Sequence, residues 1–246
     1  MGVHFLDAAG PDGVRIYAIG DVHGRLDLLR RMHAIIRDEI EQDRPADWRI
    51  VHLGDYVDRG PDSAGVLDFL THAVASDERN VALAGNHDLG FLQFLAEPDP
   101  GGLFANFGGR ETAAAYGVFI TGRDRRGFVD AHRELCQAVP REHVGFLSVR
   151  PYSVSFGDFF FCHAGIRPGI PLERQNPHDL VWIRNDFLDW PHLHPKVIVH
   201  GHTPHHEPQL MPNRVNVDTL AYQSGRLTAL VIEGTQKRLI SASAES

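Results

Sequence analysis

Apolar residues recur along the first third of the chain in two alternating rhythms. Residues 14–19, Val-Arg-Ile-Tyr-Ala-Ile, form a short β-branched run that stops at Gly20. Over residues 25–43 the apolar positions are Leu26, Leu29, Met32, Ile35, Ile36 and Ile40, the spacing of an amphipathic helix. Pro45 closes that helix, and residues 48–53 are the next strand-like run. Pro61-Asp62 opens a second helix carrying Val66, Leu67, Phe69 and Leu70, and a third strand follows at 80–84. Strand–helix–strand–helix–strand predicts parallel strands joined by right-handed crossovers. In such a sheet ligands collect beyond the carboxyl ends of the strands.

From residue 89 to about 149 the pattern is mostly helical. It holds 91–95, a Pro/Gly loop at 98–102, a helix over 104–117, an arginine-rich loop at 123–126 and a further helix to Val139. We read this as a helical insertion over one face of the site and the source of substrate choice. Residues 152–156 and 159–163, joined by Gly157-Asp158, carry a hairpin signal, and strands follow at 196–199, 214–217 and 227–232. There is no internal repeat or low-complexity segment, and residues 241–246 read as frayed. The expected fold is α/β, a two-sheet β-sandwich flanked by helices, in one domain spanning residues 1–246.

Five polar clusters each follow a strand-like run. They are Gly20-Asp21-Val22-His23-Gly24, Gly54-Asp55-Tyr56-Val57-Asp58-Arg59-Gly60, Gly85-Asn86-His87-Asp88, Phe161-Cys162-His163-Ala164-Gly165 and Val199-His200-Gly201-His202-Thr203-Pro204. Carboxylate, amide and imidazole together are the donors a pair of divalent transition metals takes from a protein. Two such ions about 3.5–4 Å apart clamp a phosphoryl centre for in-line attack. In an extended stretch Asp21 and His23 would project to one side and reach one ion. Asp55 has two oxygens and can bridge two. Arg59 offers a planar fork for phosphate oxygens that a lysine would not reproduce. Asn86 reads as a ligand or a helix N-cap, and His87, its ring held by Asp58, as a proton donor to a leaving oxygen. Taken singly each cluster is a surface turn; five at strand ends make a metal centre.

The bulk composition adds limits. At 246 residues, 43% hydrophobic and 23% charged, the chain can bury a full core. Its net charge of −8 without a basic block argues against nucleic acid as the main partner. No basic leader, anchor or long apolar run is visible, so no membrane span is expected. The two cysteines, Cys136 and Cys162, are too few for a disulfide framework; Cys162 reads as a buried small hydrophobe, and the expected location is cytoplasmic.

The order of these motifs resembles the phosphoprotein phosphatase family of calcineurin-like metallophosphoesterases. The similarity is greatest to the bacterial and phage branch that includes lambda phosphatase and the bacterial diadenosine tetraphosphatases, and it runs from about Arg15 to Ile232. It implies one metal held by Asp21, His23 and Asp55, and a second by Asp55, Asn86, His163 and His202. It further implies phosphate binding by Arg59, Asn86 and Arg184, a general acid His87, and Asp58 orienting that acid. The sequence departs from the family at Asn216-Val217-Asp218-Thr219-Leu220-Ala221, where leucine replaces a usual glycine and puts the local turn in question. Pro204 ends the last motif, so His202 rather than His200 is the expected ligand there. His192, His194, His205 and His206 read as solvated surface.

The implied activity is direct hydrolysis by a hydroxide held between two divalent transition-metal ions, manganese first, with iron, zinc, cobalt or nickel as alternatives. The main expectation is a serine/threonine protein phosphatase, extending to phosphotyrosine, acting on a phosphorylated protein or peptide. The alternative is a diadenosine tetraphosphate hydrolase, for which Arg123, Arg125 and Arg126 would hold extra phosphates. A catalytically silent metal-binding scaffold is a third reading, disfavoured because every matched position is intact.

Overall fold

Strand residues here alternate between two buried faces, and that alternation sets the layering. The computed structural model describes residues 2–120 and 125–244. In chain order it runs β1 (Val14–Ile19), α1 (Leu26–Asp43), β2 (Asp47–His52), α2 (Ser63–Ser76), β3 (Asn80–Ala82), α3 (Asn86–Ala96), α4 (Leu103–Asn106), α5 (Gly109–Ala115), α6 (Arg125–Ala138) and α7 (Arg141–Ser148). It continues with β4 (Ser153–Phe156), β5 (Phe159–Cys162), α8 (Pro177–Trp182), α9 (Asn185–Leu188), β6 (Val197–His200), β7 (Gln209–Leu210), β8 (Arg214–Asn216), α10 (Ala221–Ser224), β9 (Arg226–Glu233) and β10 (Gln236–Ser243).

Two mixed five-stranded sheets result, ordered β10-β9-β1-β2-β3 and β4-β5-β6-β8-β7. In the first, β1, β2 and β3 run parallel, and β9 and β10 are antiparallel. In the second, β5, β6 and β8 run parallel between antiparallel edges. Ile16, Ala18, Val51 and Leu230 face Phe159, Phe161, Val199 and Val215 between the sheets. The alternate residues Tyr17, Ile19, Ile50 and Val231 face outward, against Leu29, Met32 and Ile36 of α1 and Val66, Leu67 and Leu70 of α2. On the other sheet Phe160, Cys162 and Ile198 turn out against Leu180, Ile183 and Phe187. With strands buried on both faces, the period-2 polar signal vanishes and short apolar runs remain.

The two-sheet sandwich flanked by helices is thus as the sequence predicts, and so are the parallel β1–β3 unit and the Gly157-Asp158 hairpin. Corrections fall at the ends and the loops. Residues 241–243 are not frayed but pair with β9 as the end of β10; residues 245–246 lie outside the described residues. The helix expected over 104–117 is two short ones, α4 and α5, parted at Gly108, whose φ is +106°. His194 is not solvated: it is buried and stacks on Phe187 at 5.6 Å, where the 191–196 segment passes α9. Arg123, and the side chains of Arg125 and Arg126, lie outside the described residues. Among the described residues no helix is long and apolar enough to cross a membrane.

Candidate metal centre

The carboxyl ends of β1, β2, β3, β5 and β6 meet at one edge of the sandwich, and the five polar clusters lie there, the third running into the first turn of α3. Their backbone is unusual. Among the described non-glycine residues with positive φ are His23 (43°), Asp55 (54°), Asp58 (71°), Arg59 (68°) and His202 (63°). Each left-handed residue costs about 1–2 kcal/mol, so surrounding bonds must hold it there. The extended Asp21–His23 geometry expected from sequence is therefore corrected. His23 turns left-handed because both Val22 N and His23 N donate to the Asp55 carbonyl, at 3.1 and 2.9 Å.

Asp55 is the hub. Its Oδ2 lies 3.4 Å from His23 Nε2 and its Oδ1 3.4 Å from His163 Nε2. It also belongs to both groups of ligating atoms that lie within 4.8 Å of one another, His23–Asp55–His87 and Asp55–His163–His202. Burial opposes its charge, but the rings of His163, His87 and His23 outweigh that and hold it well below the usual carboxylate range. Asp21 falls outside both groups among the described residues. It is buried, accepts from His202 N at 3.1 Å, and is driven well above its ordinary value by burial and by Asp218. Gly201 lets it approach, since a Cβ there would stand 2.0 Å from Asp21 Oδ1.

The rings are pre-oriented. His23 Nδ1 donates to Val57 O at 2.7 Å and His163 Nδ1 to Leu53 O at 2.9 Å, which turns each Nε2 inward, as in a metal-ligating histidine held by a carbonyl. His163 Nε2 then faces Asn86 Oδ1 at 2.8 Å, and His202 Nδ1 reaches the same oxygen at 2.9 Å. With His163 Nδ1 donating to Leu53 O and Asn86 presenting its oxygen, a proton or a metal ion on His163 Nε2 satisfies both atoms. Burial works against the proton, yet Asp55 and Asp21 raise His163 to about 9. This donor set fits divalent metal.

Asn86 is not the N-cap of α3; Gly85 is, and Asn86 is the first helical residue. The cap is supplied by Asp88, whose Oδ2 accepts from Gly85 N at 3.0 Å and from Asp55 N at 2.9 Å, while Oδ1 accepts from Tyr56 N at 2.8 Å. Sequence reading gave Asp88 no role, although its place three residues after a cap position signals one. His87 Nδ1 donates to Asp58 Oδ2 at 2.7 Å. Arg59 donates to His87 Nε2 at 2.9 Å and His23 Nε2 at 3.0 Å, and Arg184 Nε donates to His202 Nε2 at 3.1 Å. His200 is buried, reaches Gly201 O at 3.0 Å and lies outside the ligand groups. Leu220 keeps the left-handed turn of the missing glycine at φ 58°.

Sequence reading missed three further neighbours. Asp218 is buried and pushed up to about 6 by burial, against the pull of Leu220 N, with Asp55 adding to the rise. Tyr222 lies edge-on to His23 at 5.5 Å and under the Arg59 guanidinium at 5.1 Å. Trp182 stands edge-on to His202 at 6.1 Å. The two aromatics had no local signal, because each is defined by the ring it meets across the fold.

Residues 14–232 match the sequence profile described as calcineurin-like phosphoesterase. The asymmetrical bis(5'-nucleosyl)-tetraphosphatase PrpE of Bacillus thuringiensis (strain Al Hakam) is 24% identical over 231 residues, 86% of this chain and 88% of that protein. The PrpE of Halalkalibacterium halodurans is 27% identical over 236 residues, 86% and 87% of the two chains. A symmetrical bis(5'-nucleosyl)-tetraphosphatase of Methylococcus capsulatus is 31% identical over 154 residues, 62% of this chain and 44% of that one. Among solved structures, a candidate diadenosine tetraphosphatase superposes with TM-score 0.66 at 20% identity, covering 97% of this chain and 100% of its own. A Saccharomyces cerevisiae serine/threonine phosphatase gives 0.55 at 14%, covering 98% and 86%.

Proposed function

The chain belongs to the calcineurin-like phosphoesterase family, and on that premise we propose that it hydrolyses a dinucleoside tetraphosphate, splitting the bridge unequally into nucleoside mono- and triphosphate. The observation that carries this reading is the similarity to asymmetrical tetraphosphatases through 86% of this chain and 88% of theirs. It reverses the order of the two enzyme readings expected from sequence, since likeness to the yeast protein phosphatase extends to fold alone. The surroundings of the site agree with it. On the His23 side stand Arg59 and Tyr222, and on the His202 side Arg184 and Trp182. A substrate with a polyanionic bridge and a base at each end finds an arginine and an aromatic ring on both flanks.

Asp21, His23 and Asp55 would hold one divalent ion, and Asp55, Asn86, His163 and His202 the other. Two such ions neutralise phosphoryl oxygens and lower the pKa of attacking water. The protein's own part begins with the arginines. Arginine can only donate, so Arg59 here occupies the lone pairs of both His23 Nε2 and His87 Nε2. A phosphate that draws the guanidinium onto its oxygens frees both rings at once. His87 Nε2 can then carry the proton that goes to the leaving oxygen, while Asp58 on Nδ1 stabilises the charged ring. Arg184 and Asn86 complete the cradle of equatorial oxygens, where phosphoryl transfer gains most of its stabilisation.

The test is to incubate the manganese-loaded protein with diadenosine tetraphosphate and, separately, with a phosphoserine/phosphothreonine peptide, and to resolve products by anion exchange. AMP with ATP, at a kcat/KM far above that for the peptide, is the expected result. Phosphate release from the peptide at the higher kcat/KM would overturn the nucleotide reading and restore the protein phosphatase.

A further inference from the structure

We infer that Thr112, on α5 of the helical segment between β3 and β4, is the positioning residue for the Asp58–His87 pair; the inference rests on His87 being the proton donor. Thr112 is fully buried, 54 residues from Asp58 in sequence. Its hydroxyl donates to Asp58 Oδ1 at 2.8 Å and accepts from Asp58 N at 2.8 Å. Having spent its one proton, Thr112 Oγ1 must accept from Ser63 Oγ, 3.0 Å away. One donor and two lone pairs are all satisfied, the full capacity of a hydroxyl.

This closes a ring around a strained residue. Asp58 sits at φ 71° and Arg59 at 68°, and α5 and the loop before it grip both. Arg59 N donates to Gly108 O at 3.1 Å. Gly108 can come that close only without a side chain, because a Cβ there would lie 2.5 Å from Arg59 N. With Thr112 on Oδ1 and His87 Nδ1 on Oδ2, the plane of the Asp58 carboxylate is fixed, and with it the direction of the imidazole. On this inference the helical segment, expected from sequence to choose the substrate, also aims the proton donor. A purely structural Thr112, joining α5 to α2, would hold the fold without affecting the leaving group.

Thr112→Val keeps the shape and removes the hydroxyl; Thr112→Ser keeps the hydroxyl and removes the methyl. Phenyl phosphate needs its leaving oxygen protonated, whereas p-nitrophenyl phosphate needs this much less. Thr112→Val is expected to lower kcat on phenyl phosphate by about 10–100-fold, the range for an orienting partner outside the first contacts. The loss on p-nitrophenyl phosphate should be much smaller and KM steady, with Thr112→Ser restoring the rate. Equal losses on both esters, or no loss on either, would overturn the inference. A second readout needs no turnover: the downfield His87 Nδ1–H proton signal, absent in His87→Asn, should move in Thr112→Val and stay in Thr112→Ser. Should the wild-type protein cleave no phosphoester, the functional reading fails and the proton signal still decides Thr112; an unmoved signal in Thr112→Val sinks it.

Discussion

Among the buried and half-buried histidines two sets contrast in their bonding, and others, among them His143 on α7 and His194, stand apart from both. In the first, His23, His87, His163 and His202, both nitrogens of every ring have a partner. In the second, His33 and His52 stack at 5.1 Å between α1 and β2, and His200 meets Phe187 edge-on at 5.1 Å. Here His52 has no partner on either nitrogen, and His33 and His200 none on Nε2, among the described residues. Burial lowers both His33, to about 4, and His52, which also feels His33. In the first set His23, His163 and His202 ride on turns, two of them left-handed, and His87 sits in the first turn of α3; the second set lies within α1 or at the ends of β2 and β6. A buried imidazole thus marks a site only where main chain and neighbouring side chains aim it.

That contrast breaks most visibly at Asp55. Asp55→Asn should strip both ions and cost turnover more than the roughly 100-fold typical of an orienting partner. His52→Leu should leave metal content and kcat intact. Elemental analysis of the purified variants, beside the rates, separates them; Asp55→Asn retaining both ions would dissolve the hub. Next in size is His87→Asn, expected to lower turnover on a poor leaving group by about 10²–10⁴-fold while both ions stay bound. An unchanged rate would move His87 into the second set.

How much of this was legible beforehand follows from what local pattern encodes. Strands β1, β2 and β5 announce themselves because apolar runs bounded by glycine and polar turns survive burial on both faces. Strand β10 does not, since Lys237, Arg238, Leu239 and Ile240 lie on a sheet edge with little buried. The five clusters were readable as residue types at strand ends. Their strain was not, because the bonds that impose it come from afar: Asp88 holds Asp55 across 33 residues and Thr112 holds Asp58 across 54. His194 was misread because its proline-rich flanks suggest solvent, whereas the chain folds it back onto Phe187, seven residues earlier.

The second histidine set makes its prediction in stability against pH. The folded state holds His33 and His52 below the unfolded value near 6.5, so the unfolded chain binds more protons as pH falls below that value. Stability is therefore full above about pH 6.5 and declines toward pH 4, by up to about 1.4 kcal/mol per pH unit for each ring. Double replacement by His33→Phe and His52→Leu should flatten the acid limb of the Tm profile by several degrees with rates unaltered at pH 7. An acid limb as steep as before would mean that water or motion already serves those nitrogens.

The smallest expected effect tests whether strain near the site is functional or merely carried. Leu220 holds φ 58° while its side chain has no part in the site, unlike Asp58, which orients His87, or His202, and its N–H donates to Asp218 Oδ1 at 3.0 Å. A left-handed leucine costs about 1–2 kcal/mol, and glycine relieves that but adds about 0.5–1 kcal/mol of chain entropy to be lost on folding. The half-buried side chain also gives up some apolar contact. Leu220→Gly should thus raise stability by at most about 1 kcal/mol, roughly 2–4 °C in Tm, leaving kcat unchanged because the backbone bond to Asp218 persists. A fall in kcat with a rise in Tm would show that the strain holds α10, and Tyr222 on it, against the substrate.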